Sequence, residues 1–175
     1  MFTVDAQNSA GWSKNATISG KTLTVRPSTM NKIQATHITP TSFQVNFQHP
    51  SSNGGLAIDN YAVEVKRGND VILSDSSILP NKVSISISSL TRFTEYTVRV
   101  KAKHAQHEGF WSEPQLVKTL SDLPGAVKSV VSQPSLPLGQ SIQVNWEQPL
   151  SNGAQIDNYE IVTYDASGKL LNKAN

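Results

Sequence analysis

The chain has no cysteine among its 175 residues, only 7% aromatic residues and only 16% charged ones. The missing cysteine excludes a disulfide framework and a thiolate metal site, so stability rests on packing; it leaves the redox compartment open. Charge of one sign is also lacking. With 15 basic and 13 acidic residues the net charge is +2, too small to imply nucleic acid or an anionic membrane as the obligate partner. There is no apolar run of the ~18 residues a membrane span needs. The start, Met1-Phe2-Thr3-Val4-Asp5, lacks the basic and apolar regions of a signal peptide. No Ser–His–Asp arrangement, Gly-rich phosphate loop or paired carboxylates can be named, so neither an enzyme nor a cofactor is expected.

What the sequence does contain is a repeat. Gln44-Val45-Asn46-Phe47-Gln48-His49-Pro50 with Ile58-Asp59-Asn60-Tyr61 returns as Gln143-Val144-Asn145-Trp146-Glu147-Gln148-Pro149 with Ile156-Asp157-Asn158-Tyr159, 143 − 44 = 99 positions later. A fixed internal period fixes architecture first, so each motif is read by its place within a unit. Between these blocks run short segments of period-two alternation. Phe43, Val45 and Phe47 fall on one face of a strand, as do Tyr61, Val63 and Val65, and Val83, Ile85 and Ile87. Val71-Ile72-Leu73 reads as a short strand after the Arg67-Gly68-Asn69-Asp70 turn, and Pro50-Ser51-Ser52-Asn53-Gly54-Gly55 as a turn cluster. Such strands, spaced by turn residues, predict a sandwich.

The segment Leu90-Thr91-Arg92-Phe93-Thr94-Glu95-Tyr96 resembles the tyrosine corner of fibronectin type III domains, in which the tyrosine hydroxyl bonds back to the backbone. With Trp111-Ser112-Glu113-Pro114 beyond it, residues 31–120 resemble one complete module. The resemblance implies an all-β, immunoglobulin-like sandwich of seven strands, with Phe47, Tyr61, Leu90, Tyr96, Trp111, Trp146 and Tyr159 as its core signature. Phe47 stands where the family usually has tryptophan, which predicts a smaller core and the same fold. Residues 1–26 resemble the last strands of a preceding module, since Trp12 lies 111 − 12 = 99 positions before Trp111, with Phe2, Val4 and Ala6 facing inward. Residues 123–175 resemble the first strands of a following one. Two partial sandwiches predict either an excerpt of a longer array, the preferred reading, or complementation between residues 1–22 and 124–175.

The candidate sites each have a plainer alternative. Arg99, Lys101 and Lys103 alternate with apolar residues and form a basic stripe that could meet a polyanion such as a glycosaminoglycan or an acidic partner. A solvated face with Glu64 as cross-strand partner is preferred, because the chain is nearly neutral. Arg67-Gly68-Asn69-Asp70 is similar to the integrin-binding Arg-Gly-Asp tripeptide, but Asn69 interrupts it, so a hairpin turn is expected. Asn15-Ala16-Thr17 is an N-glycosylation acceptor pattern. His104 and His107, with Glu108, could be offered as a metal cluster, but two histidines three apart in a loop without a third ligand at defined distance are expected to be exposed polar residues, so no metal is expected.

The function this predicts is non-catalytic: an interaction or spacer module that presents loops and sheet faces to a protein partner, with no nucleic acid involved. A cell-surface setting is preferred. The alternatives are an accessory domain of a secreted carbohydrate-active enzyme and an intracellular cytoskeletal or muscle-type scaffold. The loops at 51–55, 67–70 and 104–109 are the first places to look for a partner.

Overall fold

In the computed structural model, which describes residues 1–134 and 141–174, strands, turns and loops account for every described residue and no helix is among them. At the N-terminus β1 (Phe2–Val4), β2 (Gln7–Asn8), β3 (Gly11–Trp12) and β4 (Ala16–Ile18) form two antiparallel ribbons, β1 with β4 and β2 with β3. Among the described residues no second layer covers them. Phe2 and Trp12 are therefore 66% and 68% exposed, and Val4 and Ala6 also face water, contrary to the inward set expected from their alternation.

The central body contains β5 (Gln34–Thr36), β6 (Phe43–Asn46), β7 (Asn60–Arg67), β8 (Asp70–Ile78), β9 (Ser84–Ile87), β10 (Glu95–His104), β11 (His107–Glu108) and β12 (Gln115–Lys118). One sheet runs β5-β6-β9; the other runs β11-β10-β7-β8, with β12 pairing further along β10. Alternation aims one side of each strand at the opposite sheet. Phe43 and Val45 of β6 and Ile87 of β9 thereby meet Tyr61, Val63 and Val65 of β7 and Val98, Val100 and Ala102 of β10 in a single buried cluster. Phe47, just past β6, joins that cluster with its ring edge-on to Tyr61, centroids 5.1 Å apart.

Three expectations are corrected here. Val83 lies outside its strand and is partly exposed, although its carbonyl accepts the Phe47 N–H at 2.9 Å. The strand read at 71–73 extends through Ile78, with register shifts against β7; Ser74, Asp75, Ser76 and Ser77 look like a turn in sequence, but an edge strand tolerates polar residues along its wet side. Trp111 is absent from the core and lies on the outer face of β10.

Beyond the body, β13 (Lys128–Pro134) pairs with β14 (Ile142–Glu147), and β15 (Ile161–Tyr164) with β16 (Leu170–Ala174). Trp146 and Tyr159 pack together with centroids 5.2 Å apart, lining an open apolar groove of about 410 Å³ with Val130, Val144 and Ile161. Among the described residues the N-terminal ribbons make no strand pairing with these C-terminal ones.

Candidate functional site

The basic stripe is positioned by the β7–β10 register, which sets Arg99 opposite Glu64, Lys101 opposite Ala62 and Lys103 opposite Asn60. Because Val98, Val100 and Ala102 point into the core, the three cationic side chains stand on the outer face. They are not free charges. Arg99 Nε donates to Glu64 Oε1 at 2.8 Å, and Lys66 Nζ lies 3.3 Å from the same oxygen. Lys101 and Lys103 both reach Glu108, at 2.5 and 2.6 Å.

Trp111 completes this face. Its indole has the Arg99 guanidinium 4.8 Å and the Lys101 ammonium 4.7 Å from its centroid, an arrangement that the ring's quadrupole favours. The next residue anchors it: Ser112 donates its N–H to the Val100 carbonyl at 2.9 Å, and its hydroxyl accepts the Val100 N–H at 3.1 Å. Hydrogen bonds from Lys101 and then Lys103 hold the Glu108 carboxyl down at about 2, from an ordinary 4.5. The Arg99 hydrogen bond, helped by Lys66, lowers Glu64 against an opposing effect of burial. Four cations against two carboxylates leave the face positive but largely paired.

The other sequence candidates lie apart from it. Arg67 and Asp70 close the β7–β8 hairpin as an exposed register pair, with Gly68 at φ 58° supplying the left-handed residue. Asn15 is exposed and directly precedes β4. The Tyr96 hydroxyl accepts the Thr91 N–H at 2.9 Å, with Leu90 buried beside the turn. Tyr61 bonds His49 Nδ1 through its hydroxyl at 2.6 Å, and burial raises that phenol.

Two of the loops favoured for recognition are already occupied. Residues 24–28 lie across the pole of the body formed by loops 51–55 and 104–109: Val25 donates its N–H to the Gly54 carbonyl, and Ser28 to that of Ser52, both at 2.9 Å. Arg26 Nη1 donates to the Glu108 carbonyl at 3.1 Å, and Thr24 bonds Gln106. His104, expected to be an exposed polar residue, is buried and works within this clamp. The N–H groups of Gln106 and His107 both point at its Nδ1, so Nε2 carries the proton and donates it to the Val25 carbonyl at 2.9 Å. No cluster of potential metal ligands exists among the described residues. Sequence reasoning missed the clamp; its one legible trace was the pair of Asn-Gly steps, Asn53-Gly54 and Asn152-Gly153, at the repeat distance.

A two-sheet body with a tyrosine corner is also what comparison with known families returns: the model of the fibronectin type III domain matches residues 26–117. The chain belongs to the fibronectin type III family. Mouse neogenin is 30% identical over 97% of this chain, which spans 11% of that protein. The human netrin receptor DCC is 29% identical over 71% of the chain and 8% of its own length, and the rat phosphatidylinositol phosphatase PTPRQ is 26% identical over 82% and 6%. Among solved structures, a crystal structure of titin domains is 22% identical with a TM-score of 0.49, covering 67% of this chain and 40% of that one. The family match begins at Arg26, inside the segment that clamps the pole.

Proposed function

We propose that the chain is a stretch of a tandem fibronectin type III array on a cell-surface, receptor-type protein. In this reading residues 1–26 are the last strands of one unit, 31–120 a whole unit and 123–175 the first strands of the next. The stretch works without catalysis, holding a protein partner and spacing its neighbours. The observation that carries the partner reading is Trp111, part-buried on the outer face of β10 and fixed there by Ser112 and by the cations of Arg99 and Lys101. A rigid aromatic flanked by arginine is the kind of anchor on which interface energy concentrates. The net positive charge of this face, where Arg99, Lys101, Lys103 and Lys66 outnumber Glu64 and Glu108, favours an acidic protein surface. The likeness to neogenin and to a netrin receptor supports the cell-surface setting, and Asn15 is then a glycosylation site.

Capture of secreted and cell-surface proteins on the immobilised chain tests this reading. Proteins held by the Trp111 face lose at least half of their signal on Trp111→Ala and on the Arg99→Ala, Lys101→Ala, Lys103→Ala triple variant. If every captured protein binds both variants as well as the parent, the face is a solvated surface and the reading fails. Heparin retention that falls in the triple variant, with no protein affected, assigns the face to glycosaminoglycan instead.

A further inference from the structure

The exposed corner at 92–93 and the short link after the central unit were unexplained by partner binding. Phe93 is a bulky residue at φ 47°, a left-handed conformation that non-glycine residues of this size rarely hold without a structural reason. Its N–H donates to the Leu120 carbonyl at 3.0 Å, and its ring turns outward onto Gly153, where a Cβ would collide with the Phe93 side chain. Gly153 itself has φ 93°, so both its backbone and the approach of Phe93 require glycine.

Around this contact the link is tied to both bodies in turn. Leu120 donates to the Thr39 carbonyl at 3.1 Å, and Arg92 Nε pairs with Asp122 Oδ2 at 2.6 Å, both on the central side. Asp122 then donates its N–H to the Asn152 carbonyl at 3.1 Å, Asn152 Nδ2 donates to the Leu123 carbonyl at 2.6 Å, and Gly125 donates to the Leu150 carbonyl at 2.8 Å. The entrance to the central unit repeats the pattern one period earlier. There Gly54, at φ 74°, receives the Val25 N–H on its carbonyl, and a Cβ on Gly54 would strike the Val25 carbonyl oxygen.

We propose that the Asn-Gly turn of each unit is a docking site for the chain entering that unit, and that at the 93/153 junction it also seats the preceding unit's aromatic corner. The occupant is this chain's own neighbouring unit. A link so held fixes the angle between consecutive units, where a free link of this length would let them swivel. The proposal rests on the array reading for the identity of the units, and on nothing about the Trp111 face.

The absence of cysteine makes the test direct, because spin labels attach only where thiols are introduced. Labels on Asn69→Cys and Ala166→Cys, both exposed, report the distance between the central unit and the 123–174 strands in the whole chain by pulsed electron resonance. The expected result is one narrow distance distribution that broadens in Phe93→Ala, in Asn152→Asp, or in both. Asn152→Asp deletes the donor to Leu123 while keeping a residue type that tolerates its φ of 52°, and it lies outside the central core. A broad distribution in the parent chain, or a narrow one unchanged in both variants, overturns the proposal. Capture of partners by the Trp111 face is measured separately and can fail while the junction stays narrow.

Discussion

Phe47 with Tyr61, and Trp146 with Tyr159, are the same pair of positions in two consecutive repeats, and they meet different fates. The first pair is buried, Phe47 4% exposed and Tyr61 not at all; the second remains half-buried along an open groove. Local sequence is nearly the same in the two places, and local pairing is comparable, since Trp146 and Tyr159 still pack ring against ring. What differs is the second layer. In the central unit β10 and β12 complete the sheet that carries β7, and the β5-β6-β9 sheet lies across it; among the described residues no comparable pair of sheets encloses Trp146. Ribbons of two strands bury too little to close a core, so the motif specifies a strand and its neighbour, and the remaining strands supply burial.

The strongest way to break that comparison is to empty both positions. Phe47→Ala removes a ring from a closed core and is expected to cost about 3–5 kcal/mol, read as a lower urea midpoint of the central unit at unchanged slope. Trp146→Ala removes a larger ring from an open groove. It is expected to cost less than Phe47→Ala, because part of the Trp146 ring stays in water on folding and an open groove leaves no closed cavity behind. Equal losses at the two positions would show that the second layer is not the source of the difference.

A subtler break uses the corner, which the central unit has and the C-terminal strands do not. Tyr96→Phe keeps the ring among Phe43 and the β10 valines and removes only the oxygen that accepts the Thr91 N–H at 2.9 Å. The stranded N–H is part-buried, so the expected cost is ~1–3 kcal/mol, with no change in the dispersion of the core methyl resonances. A cost near zero would mean that water replaces the hydroxyl at Thr91.

The all-β sandwich and its family were legible because both depend on patterns that one chain displays: period-two alternation, turn glycines and the Leu90–Tyr96 spacing. Trp111 was less legible. Its repeat position marks it as structural, but whether an aromatic beside a strand faces the core or the outer sheet depends on a backbone anchor, here Ser112 to Val100, that alternation does not encode. The Arg99–Glu64 pair follows from register once β7 and β10 are paired, whereas Glu108 reaches Lys101 and Lys103 across a hairpin end whose geometry no spacing predicts. His104 was hardest of all. Its role comes from contact with Val25, 79 positions away in sequence, and nothing local to either residue announces it.

The comparison reaches even solvent-facing charge, because only a rigid strand can hold two lysines on one carboxylate. Glu108 titrates at about 2 in the folded chain against an ordinary 4.5, so its folded form binds its proton less readily than the unfolded one. The stabilisation it contributes is therefore fully present above about 4.5 and is lost as pH falls through the window toward about 2. The side chain is 46% exposed, and screening keeps the contribution at or below ~1 kcal/mol. Glu108→Gln should accordingly lower the unfolding free energy at pH 7 by no more than this, and the gap from the parent should close on acidification. It should also narrow in ~1 M salt, where the screening length falls to about 3 Å. The substitution leaves the Glu108 carbonyl free to accept from Arg26, so the clamp stays in place. A gap that stays constant from pH 7 to 2 would assign the loss to packing of the Glu108 stem against β10, and the lysine pair would then contribute nothing to the stability of this face.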